Sequence, residues 1–382
     1  MRALLVSLVV LAACGTPSTT ADSGVTPDAS VYVPTQTHAL GLNDVTWLLP
    51  LEPLDAGSPF PAADTLLPLP SFTRLTTTEP VVRTELSRLR VVGVRFDACD
   101  RALPGPCPTD ADGSLRLVLQ PVLGPPTRTE DIALHAFFPI PHAELPQVVD
   151  ELRALAELLA LPTAAPLQLN TAFTTSPAYR TKLGALVSRY ARRTTLHRLT
   201  LFGQESDHAA IVWVFRGEEL QGGAMQPITV AHVDAGAQEV LLFAGDSYLV
   251  TPLADEPTGF ARVVMETSFR NATAPQQLDS VKSLLAVDNP TLHTSSTAQC
   301  TSCHVSTTLL EPRATDAGID VTTLSERYTS STFDLTVPPA AFRGRTLRAL
   351  GFFNEVPMIS ARVINESANV VNELEARYPP AR

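Results

Sequence analysis

Leu199-Thr200-Leu201-Phe202-Gly203 opens the part of the chain that decides the fold class. Beyond it, apolar runs recur at Ala209 to Phe215, Ile228 to Val233, Val240 to Phe243, Tyr248 to Leu253 and Ala261 to Phe269. Gly203, Gly217, Gly222-Gly223 and Gly245-Asp246 punctuate them. Short runs rich in β-branched and aromatic residues, broken by glycine at hairpin-like intervals, read as antiparallel strands. Toward the N-terminus, Leu89 to Phe96 and Leu115 to Val122 alternate apolar and polar residues as half-buried strands do, and Leu134 to Ile140 is a further strand. Asn43-Asp44 is a turn signal, and the apolar residues after it read as a buried strand ended by Pro50.

Two helices interrupt this pattern. Leu145, Val148, Val149, Leu152, Leu155 and Leu159 fall at i, i+3, i+4, i+7 spacing. The second helix starts at Ser176-Pro177, a capping residue followed by a first-turn proline, and its stripe is Leu183, Leu186, Val187 and Tyr190. Arg189, Arg192 and Arg193 crowd its end, where cations complement the helix dipole. Residues 37–273 are therefore expected to form a mainly antiparallel β domain with an inserted helical pair.

From Ala274 the texture changes to helices and long irregular stretches. Pro275 to Ala286 carries a helical stripe that stops before Asp288-Asn289-Pro290, and after Pro312 a loop-rich region is expected. A last helix starts near Ser360, with Val363, Ile364, Val370, Val371, Leu374 and Tyr378 on its apolar side. The fold class is α+β, with a helical and loop-rich segment over 274–382.

Composition narrows the function. In 382 residues, 45% hydrophobic content supports real cores, while 33 prolines and only 18% charged residues point to many turns. A net charge of -11 argues against nucleic acid as a partner. No H-E-x-x-H, P-loop, G-x-G-x-x-G or G-x-S-x-G is present, so hydrolytic and nucleotide-dependent chemistry has no footing. Gly245-Asp246-Ser247 reads as a tight turn. Asp110-Ala111-Asp112-Gly113 lacks the later ligands of a calcium loop. Cys99 and Cys107 flank a proline- and glycine-containing loop, and in an exported chain the simplest reading is a disulfide.

Export is suggested by the first residues: Met1-Arg2, then the short apolar run Ala3 to Val10, then Leu11-Ala12-Ala13-Cys14. The last four resemble the lipobox of bacterial lipoproteins. That resemblance implies a signal over 1–13, acylation of Cys14, and a membrane anchor in the cell envelope, facing periplasm or surface. Each buried acyl CH2 contributes about 0.8 kcal/mol to such anchoring. Residues 14–36, rich in Ser, Thr, Pro, Ala and Asp, read as a flexible tether.

The most demanding chemistry lies at Cys300-Thr301-Ser302-Cys303-His304. C-x-x-C-H is the attachment signature of haem c: two thiols form thioethers to the vinyl groups, and the histidine reaches the iron. Residues 274–382 resemble a small monohaem c-type cytochrome. The resemblance implies thioethers at Cys300 and Cys303, His304 as proximal ligand, and electron transfer with a redox partner protein. A sixth ligand is commonly a downstream methionine; Met358, expected on a loop ahead of the last helix, meets that description, and His293 competes for the role. After His304 comes Val305-Ser306-Thr307-Thr308, without the family's usual glycine-rich turn. A zinc site would need a fourth ligand. A thioredoxin-like pair would need a helix head in a βαβ unit. The alternative is a cofactor-free envelope lipoprotein with a binding or structural role, in which Cys300 and Cys303 form only a disulfide. A haem peroxidase is a lesser option, so enzyme activity stays open, with an electron carrier or binding protein favoured.

Overall fold

The computed structural model describes residues 33–382 except 55, 77–85, 101–103, 160, 206–211, 244, 336–346 and 348. The expected signal segment, Cys14 and most of the expected tether lie outside the described residues. Residues 34–382 form one compact unit. Among the described residues, no helix is long and apolar enough to cross a membrane.

The framework is an antiparallel sheet of ten strands. Its strands are β1 (Thr46–Leu48), β2 (Leu89–Asp97), β3 (Gly113–Leu123), β4 (Arg128–Thr129), β5 (Ala133–Ile140), β6 (Arg198–Glu205), β7 (Val212–Gln221), β8 (Ala224–Pro227), β9 (Ala237–Leu242) and β10 (Tyr248–Thr251). The path runs β1-β2-β3-β5-β6-β7-β9-β10, with β4 paired to β3 and β8 to β7. A separate hairpin joins β11 (Leu350–Phe353) to β12 (Val356–Ile359). The helices are α1 (Ala63–Leu66), α2 (Leu69–Leu75), α3 (Leu145–Leu159), α4 (Ala172–Thr175), α5 (Pro177–Tyr190), α6 (Phe260–Val263), α7 (Glu266–Arg270), α8 (Ala274–Asp288), α9 (Cys300–Ala317) and α10 (Ala361–Arg377). An α+β fold built on antiparallel strands is thus what forms.

Both expected N-terminal helices are present. Ser176 accepts a hydrogen bond from the Tyr179 amide at 3.3 Å and caps α5, and Arg189 at its end is paired in fork geometry with Glu151 of α3. Cys99 and Cys107 are disulfide-bonded.

Three expectations are corrected. Ala261 to Phe269 is not a strand but α6 and α7, because the buried residues Phe260, Val263 and Val264 fall at i, i+3 and i+4. Ile228 to Val233 makes only an isolated bridge, Val230 to Ala235, since His232 and Asp234 turn the chain with φ of 64° and 48°. Beyond Pro312 the chain stays helical to Ala317, where Gly318 at φ 64° ends α9. Burial of Leu309 and Arg313 holds that last turn, with Arg313 Nε donating to the Val263 carbonyl at 3.0 Å.

The two sheet faces differ in chemistry. Opposed residues share a face; one carries Trp47, Val94, Leu117, Ala136 and Leu199 in register. α5 packs against β5 and pairs with α3. The opposite face carries Thr46, Arg95, Arg116, Phe137, Arg198 and Glu219 in one row across six strands. Elements after residue 274 cover it. Thr46 Oγ1 meets Ser367 Oγ of α10 at 2.7 Å, and Arg95 pairs with Glu366. Gln120 Oε1 accepts from the Phe352 amide at 2.7 Å, and its Nε2 donates back to the Phe352 carbonyl at 3.0 Å. Gly351 permits this approach: a Cβ there would lie 2.5 Å from Gln120 Oε1, and its φ is 149°.

Glu366 is the centre of the charged layer, bound by Arg95 and, at 2.7 Å, by Arg362 Nε. Burial pushes its carboxyl up, but Arg95 and Arg362 outweigh that and hold it well below the usual range. Its contribution to stability is therefore present above its ordinary value of 4.5 and is lost as pH falls below it. Glu366→Ala removes the carboxylate shared by two buried guanidiniums, leaving Arg95 with Asp97 alone and Arg362 with only backbone carbonyls, and is expected to cost about 2–4 kcal/mol. A urea titration at pH 7 measures this, and a loss under about 1 kcal/mol would contradict it.

Candidate functional site: the first turn of α9

Cys300, Cys303 and His304 occupy the first turn of α9, at i, i+3 and i+4, so they lie on one helix face. Thr301, Ser302, Val305, Ser306 and Leu309 are buried, whereas Cys300, Cys303 and His304 are half-buried. Within the first turns of α9 the motif residues form a partly open stripe beside these buried positions. Both thiols are free.

The helix start is fixed by a carboxamide pair. Gln299, the residue before α9, donates through Nε2 to the carbonyls of Ala254 at 2.8 Å and Glu256 at 2.7 Å. Gln238 of β9 donates to Gln299 Oε1 at 2.7 Å and accepts from the Thr301 amide at 2.9 Å. Gln238 thus satisfies a first-turn N–H that has no partner within the helix. Farther along, Ser306 Oγ donates to Asp288 Oδ1 at 2.6 Å and ties α9 to α8. Burial raises the Asp288 carboxyl to about 6.

His304 is held on two sides. Its ring stacks on Phe202 of β6 with centroids 5.4 Å apart at 16°, and tilts against Phe215 of β7 at 4.6 Å. Its Nδ1 bonds to the Leu347 carbonyl. A carbonyl only accepts, so Nδ1 carries the proton and Nε2 keeps its lone pair. Fixing one ring nitrogen on a backbone carbonyl is how proteins orient a metal-binding histidine. The donor chemistry therefore fits haem c: two reachable thiols and an imidazole with one oriented, unprotonated nitrogen.

The thiols are not activated nucleophiles. Burial pushes Cys300 up to about 12, with the Cys303 charge adding to it, and burial pushes Cys303 up to about 11 against the pull of Arg362. A thioredoxin-like dithiol works through a lowered thiol pKa, so this pair does not match one, although it does sit at a helix head. Among the described residues, the one set of His, Cys, Asp and Glu close enough to share a metal ion is Cys99, Cys107 and Glu373, and its two cysteines are already bonded to each other. A preformed zinc site at Cys300 and Cys303 is not supported.

The two sixth-ligand candidates are placed differently. Met358 is on a strand, β12, not on a loop; it is buried and stands opposite Gly351, on the side of the hairpin that faces Gln120. His293 lies in the turn before α9, with Nδ1 3.1 Å from the Thr297 carbonyl, which also meets His232 Nε2 at 2.9 Å.

The residues that cradle His304 were not singled out in the sequence. Phe202 and Phe215 read there simply as apolar strand positions, and Leu347 as part of a long loop. His135, on the same sheet face as Phe137, is a further neighbour: burial first, then Arg116 and His304, lower its pKa to about 3. Its place in an alternating strand was legible, but not the layer covering it.

Comparison with known proteins yields no match: no family model, no curated protein and no solved structure matches this chain. The chemistry has to be argued from the site.

Burial lowers the His304 imidazole to about 4, with the Leu347 hydrogen bond opposing. His304 and His135 are therefore neutral in the fold at pH values where an unfolded histidine, near 6.5, is charged. Their stabilising contribution is complete above 6.5 and lost as pH falls toward 4. Histidine-labelled protein without haem is expected to show two Cε1 resonances that do not move between pH 8 and about pH 5. Midpoints near 6.5 for every histidine would refute this.

Proposed function

We propose that this chain is a lipid-anchored envelope protein that carries one haem c and transfers electrons. The observation that supports it is the placement of Cys300, Cys303 and His304 on one partly open helix stripe, with His304 Nδ1 held by the Leu347 carbonyl. Both thiols are free to form thioethers.

In this reading Cys300 and Cys303 would hold the haem through thioethers at the first turn of α9, and His304 would bind its iron through Nε2. The haem, when bound, supplies reversible one-electron chemistry at iron. Phe202 and Phe215 shield the imidazole from water, and the Leu347 carbonyl holds its tautomer. Met358 is preferred to His293 as the second iron ligand, because its thioether is already buried, whereas His293 is half-buried in a polar turn and would have to leave it. The lipobox-like Leu11-Ala12-Ala13-Cys14 would hold the protein at a membrane, in the compartment where haem attachment takes place.

Two experiments test this. Chain produced with a c-type maturation system is expected to gain the mass of one haem. That gain is to vanish in the Cys300→Ser, Cys303→Ser double variant, and Met358→Ala is to shift the spectrum of the reduced protein. No mass gain, with Cys300 and Cys303 recovered as a disulfide, would favour the cofactor-free lipoprotein. Separately, Cys14→Ser is expected to move the protein from the membrane to the soluble envelope fraction; unchanged fractionation would remove the anchor from the proposal.

A further inference from the structure

A second site lies away from the motif. A cavity of about 50 Å3 opens between β2, β3 and α10, and none of Cys300, Cys303 or His304 lines it. Its charged walls are Arg95, Arg116 and Arg362 against Asp97, Asp100 and Glu366.

The carboxylates here are committed. Asp97 Oδ1 accepts from Arg95 Nε at 2.7 Å, Glu366 is shared by Arg95 and Arg362, and Asp100 is held by His197 at 2.9 Å and Arg198 at 3.4 Å. Arg362 spends its other nitrogens on the carbonyls of Val287 at 2.6 Å and His293 at 2.8 Å. Arg116 is different. Its nearest carboxylate oxygen, Asp97 Oδ2, is 3.6 Å away, and its guanidinium lies over the Phe137 ring at 4.7 Å. Its Nε is buried with no hydrogen-bond partner among the described residues.

Ser114 precedes it by two positions on the same strand face. It is 2% exposed, lines the cavity, and its Oγ also has no partner among the described residues. Two buried, unsatisfied donors facing one cavity each forgo a hydrogen bond, a cost a native fold rarely bears without a ligand or bound water. Burial, followed by the neighbouring Arg95, lowers the Arg116 pKa against the pull of Asp97, Glu366 and Asp100.

The chemistry of the occupant follows from size and shape. At about 10–15 Å3 per water, the space holds roughly three to five heavy atoms. A guanidinium edge matches two coplanar oxygens, and a serine hydroxyl adds a third donor. We propose that this cavity binds a small carboxylate, of the size of formate or acetate, between Arg116 and Ser114.

The test uses the full-length chain, with formate and acetate as probes against chloride at equal ionic strength. Saturable binding of formate is expected by calorimetry and by line broadening of 13C-formate. Ser114→Ala should weaken it about threefold, and Arg116→Gln about tenfold or more. Ser114→Ala removes only an oxygen, so it reads the site even where Arg116→Gln fails to fold. Absence of saturable formate binding, equal affinity for chloride, or affinity unchanged in Ser114→Ala would each overturn the proposal.

Discussion

A buried sheet face that is polar has to find hydrogen-bond partners, and this fold depends on how that requirement is met. Thr46, Arg95 and Gln120 stand on the three adjacent strands β1, β2 and β3, and Gln238 on the distant β9, yet all four project to the same side. Each is answered by an element after residue 274: Ser367, Glu366, the Phe352 backbone, and Gln299 with the Thr301 amide. Unanswered, groups of this kind cost about 1–3 kcal/mol apiece, and more where charged. An apolar face could take a covering layer in many orientations. This one accepts a layer only where donors and acceptors coincide, so its polarity sets the registration of α9, α10 and the β11–β12 hairpin.

That constraint also explains what could be read from the sequence. Alternation in Leu89 to Phe96 and Leu115 to Val122 gave the strands, because period-2 patterning reflects burial of either face. The helix at Leu145 and the cap at Ser176 were legible from spacing and chemistry alone. The stretch Ala261 to Phe269 was not, since its paired valines suit a strand and only packing against α8 makes them helical. Pro312 suggested the end of a helix, but tertiary contacts of Leu309 and Arg313 carry α9 past it.

The motif itself was legible as five residues and nothing more. Spacing put Cys300, Cys303 and His304 together. The surroundings that decide their behaviour come from residues about a hundred positions earlier and forty later: Phe202, Phe215 and Leu347. Those were invisible because an apolar strand residue carries no mark of what it will touch. The same holds for Arg116 and Ser114, whose missing partners are a property of the assembled layer and not of the strand.

Gln238 carries a consequence for how the chain can be divided. Its carboxamide belongs to the sheet, yet it completes the first turn of the helix that bears the thiols. A piece beginning at Ala274 would keep every residue of C-x-x-C-H and lose that cap, along with both rings against which the imidazole rests. Whatever the motif does, it is not a portable cassette: recombination or duplication that moved the last third of the chain alone would transfer the signature and leave its setting behind.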